Sequence, residues 1–189
     1  MAKVSVLLAT GLEEVECLTV VDILRRGGVD VELISTSGER VVTGAHHIAI
    51  VTDRLIEETD FSDSDMIFLP GGVPGVPNLA KHPKVARALQ QQELSGKRLA
   101  AICAAPSIVG KMGFFAHARF TSYPGWQEGI DGVDGARWTG AAVETSGNIT
   151  TGRGLGVALD FGLELLRLLT DDATAERVKE AVQHPDCIS

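Results

Sequence analysis

Cysteine is scarce in this chain. Only Cys17, Cys103 and Cys187 stand among its 189 residues. An odd number at such wide spacing makes no disulfide framework. No CxxC pair and no Cys/His cluster has the spacing of a zinc site, and the adjacent His46 and His47 are poorly placed to share a metal. Positive charge is short as well: 17 Lys and Arg against 25 Asp and Glu leave a net charge of −8. A nucleic-acid backbone or an anionic membrane surface requires a basic face, so neither is expected as the main partner. Long apolar runs are missing. None reaches the roughly 18 residues of a membrane span. The opening "MAKVSVLLAT" turns acidic at Glu13 and Glu14, without the apolar stretch and cleavage site of a signal peptide. The expected location is the cytoplasm. Linkers, internal repeats and low-complexity segments are also lacking. Residues 1–189 are therefore expected to form a single domain, and an apolar content of 44% is enough for a substantial core.

What is present is an alternation of buried strands and amphipathic helices. "KVSVLLAT" reads as a strand. "GLEEVECLTVVDILRRGG" reads as a helix with acids in its first turn, Arg25 and Arg26 in its last, and a glycine pair to stop it. "VDVELIST", "SDMIFLPGG" and "KRLAAIC" supply further strands, and "RVVTGAHHIAIV" a strand pair turning at Gly44. "NLAKHPKVARALQQQEL" reads as helical in its later part, "AAPSIVGKMG" as a short helix, and "FTSYPGW" as strand then loop. A strand pair turning at Ser146-Gly147 and two helices complete the chain. This order predicts an α/β fold, a mostly parallel sheet covered by helices on both faces.

In such sheets ligands gather where strands run into helices, and three unusual features fall at turns of that kind. Cys103 follows the strand "LAAI" and precedes a helix opened by Pro106. A thiol there faces backbone N–H groups that favour a negative charge, which lowers a thiol pKa. An inert core thiol fits the local spacing equally well. Glu16 shares a helix face with Val20 and Ile23, so its carboxylate is expected to point inward, with a solvated position on the helix as the alternative. Burial there raises its pKa and makes it a proton donor or shuttle. Gly71 and Gly72, after "MIFL", let backbone N–H groups approach a ligand closely. Glu13 and Glu14 are accounted for by the helix dipole, Cys17 as a core residue, and Gly152, Gly154 and Gly156 by tight packing near the pocket.

Taken together, "GLEEVE", "LPGG", "AAICAAP" and "TGRGLGVALDFGLELL" resemble the ThiJ/PfpI superfamily. The nearest branch is that of the Parkinson disease protein 7 and YajL-like protein deglycases. The resemblance implies a flavodoxin-like sandwich and a homodimer. It implies Cys103 as nucleophile, Glu16 as its protonated partner, and Gly72 and Ala104 as backbone N–H donors to the oxyanion. Arg26 and His46 stand where family members place arginines near the site and the dimer interface. Tyr123 stands where many members carry a histidine. A complete Cys-His-acid triad is not implied, and Ala104 after the cysteine and His184-Pro185-Asp186 near the end speak against the peptidase and amidotransferase branches.

The implied activity is that of a cysteine-dependent glyoxalase or deglycase with no metal and no organic cofactor. Its substrates would be methylglyoxal, glyoxal and their early adducts on proteins or nucleotides, with nucleic acid entering only as a glycated substrate. The alternative is a redox-sensing stress protein or chaperone in which Cys103 is oxidised to sulfinic acid.

Overall fold

The computed structural model describes residues 1–187. Its main sheet has seven strands: β1 (Lys3–Leu8), β2 (Asp30–Ser35), β5 (Arg54–Leu55), β6 (Met66–Leu69), β7 (Arg98–Ile102), β10 (Val143–Ser146) and β11 (Ile149–Gly152). They lie in the order β10-β11-β7-β6-β1-β2-β5. All neighbours are parallel except the edge hairpin of β10 and β11. The run β2-β1-β6-β7-β11 is the doubly wound, flavodoxin-like order. Two small pairs stand apart, β3 (Val41–Thr43) with β4 (Ala49–Val51) and β8 (Arg119–Phe120) with β9 (Arg137–Trp138).

The central strands are apolar throughout because both faces are covered. Alternate residues serve opposite sides. Val4, Val6, Leu8, Met66, Phe68, Ala100 and Ile102 meet α1 (Glu14–Arg26) and α5 (Ala158–Leu169). Leu7, Ile67, Leu69, Leu99 and Ala101 meet α2 (Gly75–Lys81), α3 (Pro83–Leu94) and α4 (Pro106–Lys111). A last helix, α6 (Asp172–Ala181), packs on α5. Helices α1 and α5 cross closely. A Cβ on Gly162 would sit 3.3 Å from Ile23 Cβ, and one on Gly27 would strike the Leu166 side chain.

α1 starts where Glu13 caps it, its side chain accepting the Val15 N–H, and it ends at Gly27 after Arg25 and Arg26. Two segments differ from the sequence reading. Helix begins earlier than expected after β6: Pro77 lies in the first turn of α2, where its missing N–H costs no intrahelical bond. The chain then breaks at His82, whose side chain accepts the Lys84 N–H and caps α3, with Pro83 opening that helix. "FTSYPGW" adds no strand to the main sheet. Only Phe120 is strand, and the next residues are pinned individually, Thr121 N–H donating to Thr151 Oγ1 and Tyr123 N–H to the Cys103 carbonyl.

Candidate active site

The strand order reverses at β1. The chain leaves β1 for β2 on one side, and β6 and β7 stack on the other. Loops after β1 and β6 diverge there and open a crevice at the carboxyl ends of the strands. α1 enters it after β1, Gly71 and Gly72 after β6, and Cys103 after β7.

Cys103 sits on a sharp elbow. Its φ is +63°, a left-handed conformation that costs a non-glycine residue on the order of 1 kcal/mol or more. The chain holds it there with two backbone bonds: Cys103 N–H donates to the Gly152 carbonyl at 2.9 Å, and its own carbonyl accepts Tyr123 N–H at 2.8 Å. The side chain is half-buried and touches both halves of the core. Ala104 and Ala105 behind it are fully packed, so larger residues have no room.

Glu16 does point inward, with 1% of its surface exposed. Its Oε2 accepts the Gly71 N–H at 3.0 Å. Gly71 is where the two side chains meet. A Cβ there would overlap Glu16 Oε2 and come within 2.6 Å of Cys103 Cβ. Neither a side chain nor a second ligand group fits between them. On its other side Glu16 faces the Gly154–Leu155 backbone.

The electrostatics of the pair depart from the sequence expectation. Burial pushes Glu16 from 4.5 up to about 7, against hydrogen bonding from Cys103 and the Gly71 N–H. Burial, the Glu16 charge and the hydrogen bond to its carboxylate push the Cys103 thiol up to about 12, while the Ala104 and Gly72 N–H groups pull it down. The helix start predicts a lowered thiol; burial of the thiol itself, with the Glu16 carboxylate alongside, outweighs it. The two groups titrate as a unit. The first proton leaves near Glu16's value of about 7, and the second is opposed by the charge the first leaves behind. In the singly charged state the remaining proton rests mainly on sulfur, because Glu16 loses its proton well below Cys103. With that proton on Glu16, sulfur is a thiolate facing a carboxylic acid and two backbone donors.

Among the other expected residues, Gly72 and Ala104 have backbone N–H groups near enough to the thiol to favour its charged form. Gly72 needs its φ of +99°, and a Cβ there would run into the Leu12–Glu13 backbone. Tyr123 is 53% exposed and its ring edges Gly154, so it borders the crevice. Arg26 is not brought to the site within the chain. It lies ten residues after Glu16 on α1, about 15 Å along the axis, and pairs with Asp22 at 2.6 Å. His46 lies beside the first turn of α1, bonded to Glu14 rather than to the cysteine. Trp126 and Trp138 pack against the core on the α2–α4 side.

Sequence reasoning missed the Gly71 N–H and the Leu155 backbone as partners of Glu16; the close glycines around both were the available signal. It also missed the burial of Glu14, which is 1% exposed. Glu14, Cys17, Val21 and Leu24 share one helical face, and that spacing carries the information.

The sequence matches the DJ-1/PfpI family over residues 2–168. The chain belongs to that family. It is 32% identical to a Parkinson disease protein 7 homolog of Danio rerio over 92% of this chain and 93% of that one. It is 31% identical to the glutathione-independent glyoxalase DJR-1.2 of Caenorhabditis elegans, over 83% and 82% of the two chains. Among solved structures, a DJ-1 superfamily protein of Salmonella typhimurium, crystallised as a cysteine-to-alanine mutant, superposes with a TM-score of 0.91 at 34% identity, covering 98% of this chain and all of that one. Oxidised DJ-1 of Toxoplasma gondii gives 0.91 at 27% identity, over 97% and 98%. As a DJ-1/PfpI member, this chain carries the flavodoxin-like sheet that its strand order already gave. No helix among its described residues is long and apolar enough to cross a membrane.

Proposed function

We propose that this DJ-1/PfpI protein is a cysteine-dependent, cofactor-free glyoxalase or deglycase for methylglyoxal, glyoxal and their early adducts on proteins or nucleotides. The observation that carries this reading is a buried, proton-holding carboxyl group against a thiol on a strained strand-to-helix elbow. The glyoxalase named among the similar proteins supports the reaction class.

The Glu16 carboxylate takes the Cys103 proton, the thiolate adds to the aldehyde carbon, and the new oxyanion, lying among the Gly72 and Ala104 N–H groups, receives that proton from Glu16 as the hemithioacetal hydroxyl. Glu16, near 7, is suited to take a proton from carbon and return it at neutral pH. It removes the C1 proton of the hemithioacetal as the C2 carbonyl becomes an enediol. Glu16 returns that proton to C2 while the C1 hydroxyl proton passes to the C2 oxygen, so that C1 becomes the carbonyl of a lactoyl thioester. Water then cleaves the thioester, releasing lactate and the free thiol. Tyr123 at the crevice rim serves as an accessory contact, as would His46 and Arg26 only where a second subunit brings them nearer. Exposed Val15, Leu18 and Ile48, on and beside α1, suit the homodimer this reading includes. The cytoplasm is its expected location.

Incubation with methylglyoxal and assay of lactate tests the reading. Lactate formation by wild type and none by Cys103→Ser or Glu16→Ala is expected. Equal rates from both variants would remove the mechanism. A second reading is redox sensing. The Glu16 carboxyl can hydrogen-bond the oxygens of a sulfinic acid formed on Cys103 by two equivalents of peroxide, and an oxidised relative of the same fold favours it. Selective dioxidation of Cys103 over Cys17 and Cys187 by mild peroxide is the expected mass-spectrometric result; uniform oxidation would count against it.

A further inference from the structure

A trough runs along α3, on the side of the sheet opposite α1. We propose that it binds an extended acidic peptide segment of a partner protein. One wall is α3, and the other is the segment 56–62. Two adjoining cavities of about 660 and 390 Å³ make up the trough, and Phe61, Ala88 and Gln91 line both. It follows α3 from His82 to Lys97, just beyond the helix end. The 12 residues of α3 measure about 18 Å, the span of about five or six extended residues. An open trough of that length suits a chain better than a compact metabolite, which binds by enclosure.

Charge selects the kind of chain. Lys84 Nζ donates to the Glu57 carbonyl at 3.0 Å, and Lys97 Nζ to the Ser62 carbonyl at 2.7 Å. These bonds fasten the far wall at both ends. Each leaves an ammonium group with further donors and, among the described residues, no carboxylate partner. Arg87 is exposed on the α3 wall, and among the described residues its guanidinium has no partner at all. The nearby acids are already engaged. Asp60 accepts the Ser62 N–H at 3.0 Å and the Ser62 hydroxyl at 2.9 Å, and Glu57 faces the His82 ring at 3.7 Å. Three cations against two acids make this trough positive in a chain of net charge −8. The floor adds two features. Phe61 and Ala88 offer apolar surface at its centre. Gln92 is 3% exposed, and its Nε2 donates to the Ser64 and Arg98 carbonyls at 3.2 and 3.3 Å. Both amide hydrogens are thus used. Its Oε1, in the wall of the smaller cavity, accepts no bond among the described residues. A main-chain N–H of the bound segment supplies the missing donor.

The proposal does not rest on the glyoxalase reading, and α3 stays free when α1 faces a second subunit. The probe is a fluorescein-labelled peptide of two leucines between two runs of three glutamates, followed by anisotropy with the full chain at physiological salt. Saturable one-to-one binding is expected. Arg87→Gln and Lys84→Gln should each weaken it about threefold to tenfold. Gln91→Glu, which sets a like charge in the middle of the trough, should weaken it by a similar factor. The urea midpoint and the Cys103 alkylation rate of Arg87→Gln and Gln91→Glu should match wild type. The same peptide with glutamine for glutamate should not bind. Absent binding, binding indifferent to Arg87→Gln and Lys84→Gln, or equal binding of the glutamine peptide would each overturn the proposal. A single-stranded DNA of eight nucleotides that binds as tightly, with the same losses in the variants, would overturn it too, because the trough would then read polyanions and not peptide.

Discussion

Replacing Glu16 by glutamine should change how stability depends on pH more than stability itself. The carboxyl is 1% exposed, and burial is the largest cause of its rise from 4.5 to about 7. An acid whose pKa is higher folded than unfolded holds its proton longer in the native state. The native state then binds more protons than the unfolded one throughout the window, and stability falls as pH rises. The contribution is fully present below pH 4.5 and gone above about 7. At about 1.4 kcal/mol per pH unit, the wild type should lose about 3 kcal/mol across the window on account of this group. Glutamine cannot ionise, keeps an oxygen for the Gly71 N–H, and should lack that loss. The measurement is urea unfolding of both proteins at pH 5, 6, 7 and 8. Subtracting one curve from the other cancels groups common to both. The Cys103 thiol, pushed up to about 12, stays outside the range. A difference that does not change with pH would mean that Glu16 titrates as an ordinary carboxylate, and the account of the pair would fall with it.

Four further outcomes are expected. Glu16→Gln should lower the high-pH inflection of Cys103 alkylation, because the carboxylate charge and hydrogen bond that raise it are removed; an unmoved inflection would show that burial alone sets it. Gly71→Ala should destabilise by roughly 1–3 kcal/mol and change the Cys103 alkylation rate, since its Cβ lands on both members of the pair; wild-type stability and rate would refute the packing described. Phe161→Ala should cost about 3–5 kcal/mol in chemical denaturation, as the ring is fully buried and meets Phe68 at 5.8 Å between centroids. Native-state labelling with iodoacetamide should spare Cys17, which is fully buried, and modify it only on unfolding.

Much of this molecule is legible in its residues. Continuous apolar strands such as Met66–Leu69 can only sit between two helical layers, and α1 announces itself by acids at one end and arginines at the other. Cys103, Glu16 and Gly71 each mark a strand end, so their meeting follows once the sheet is parallel. Magnitudes of coupling were not legible. A pKa depends on the distance and solvation of a partner 87 residues away in sequence, and local pattern carries neither. The early start of α2 was obscured by Pro77, since a proline reads as a breaker until its place in the first turn is known. Glu14 was hidden for a similar reason. An acid at a helix start has a sufficient local explanation, and only the fold of the β3–β4 hairpin over α1 gives it a second one.

The left-handed backbone at Cys103 sets stability against chemistry at a single codon. Glycine adopts a φ of +63° freely, so Cys103→Gly relieves the elbow while deleting the sulfur. A search among variants for heat resistance alone would tend to accept such a replacement, and the protein recovered would be well folded and unreactive. Persistence of a cysteine on this turn therefore requires selection for what the thiol does, and laboratory evolution of this scaffold must assay reactivity alongside melting temperature.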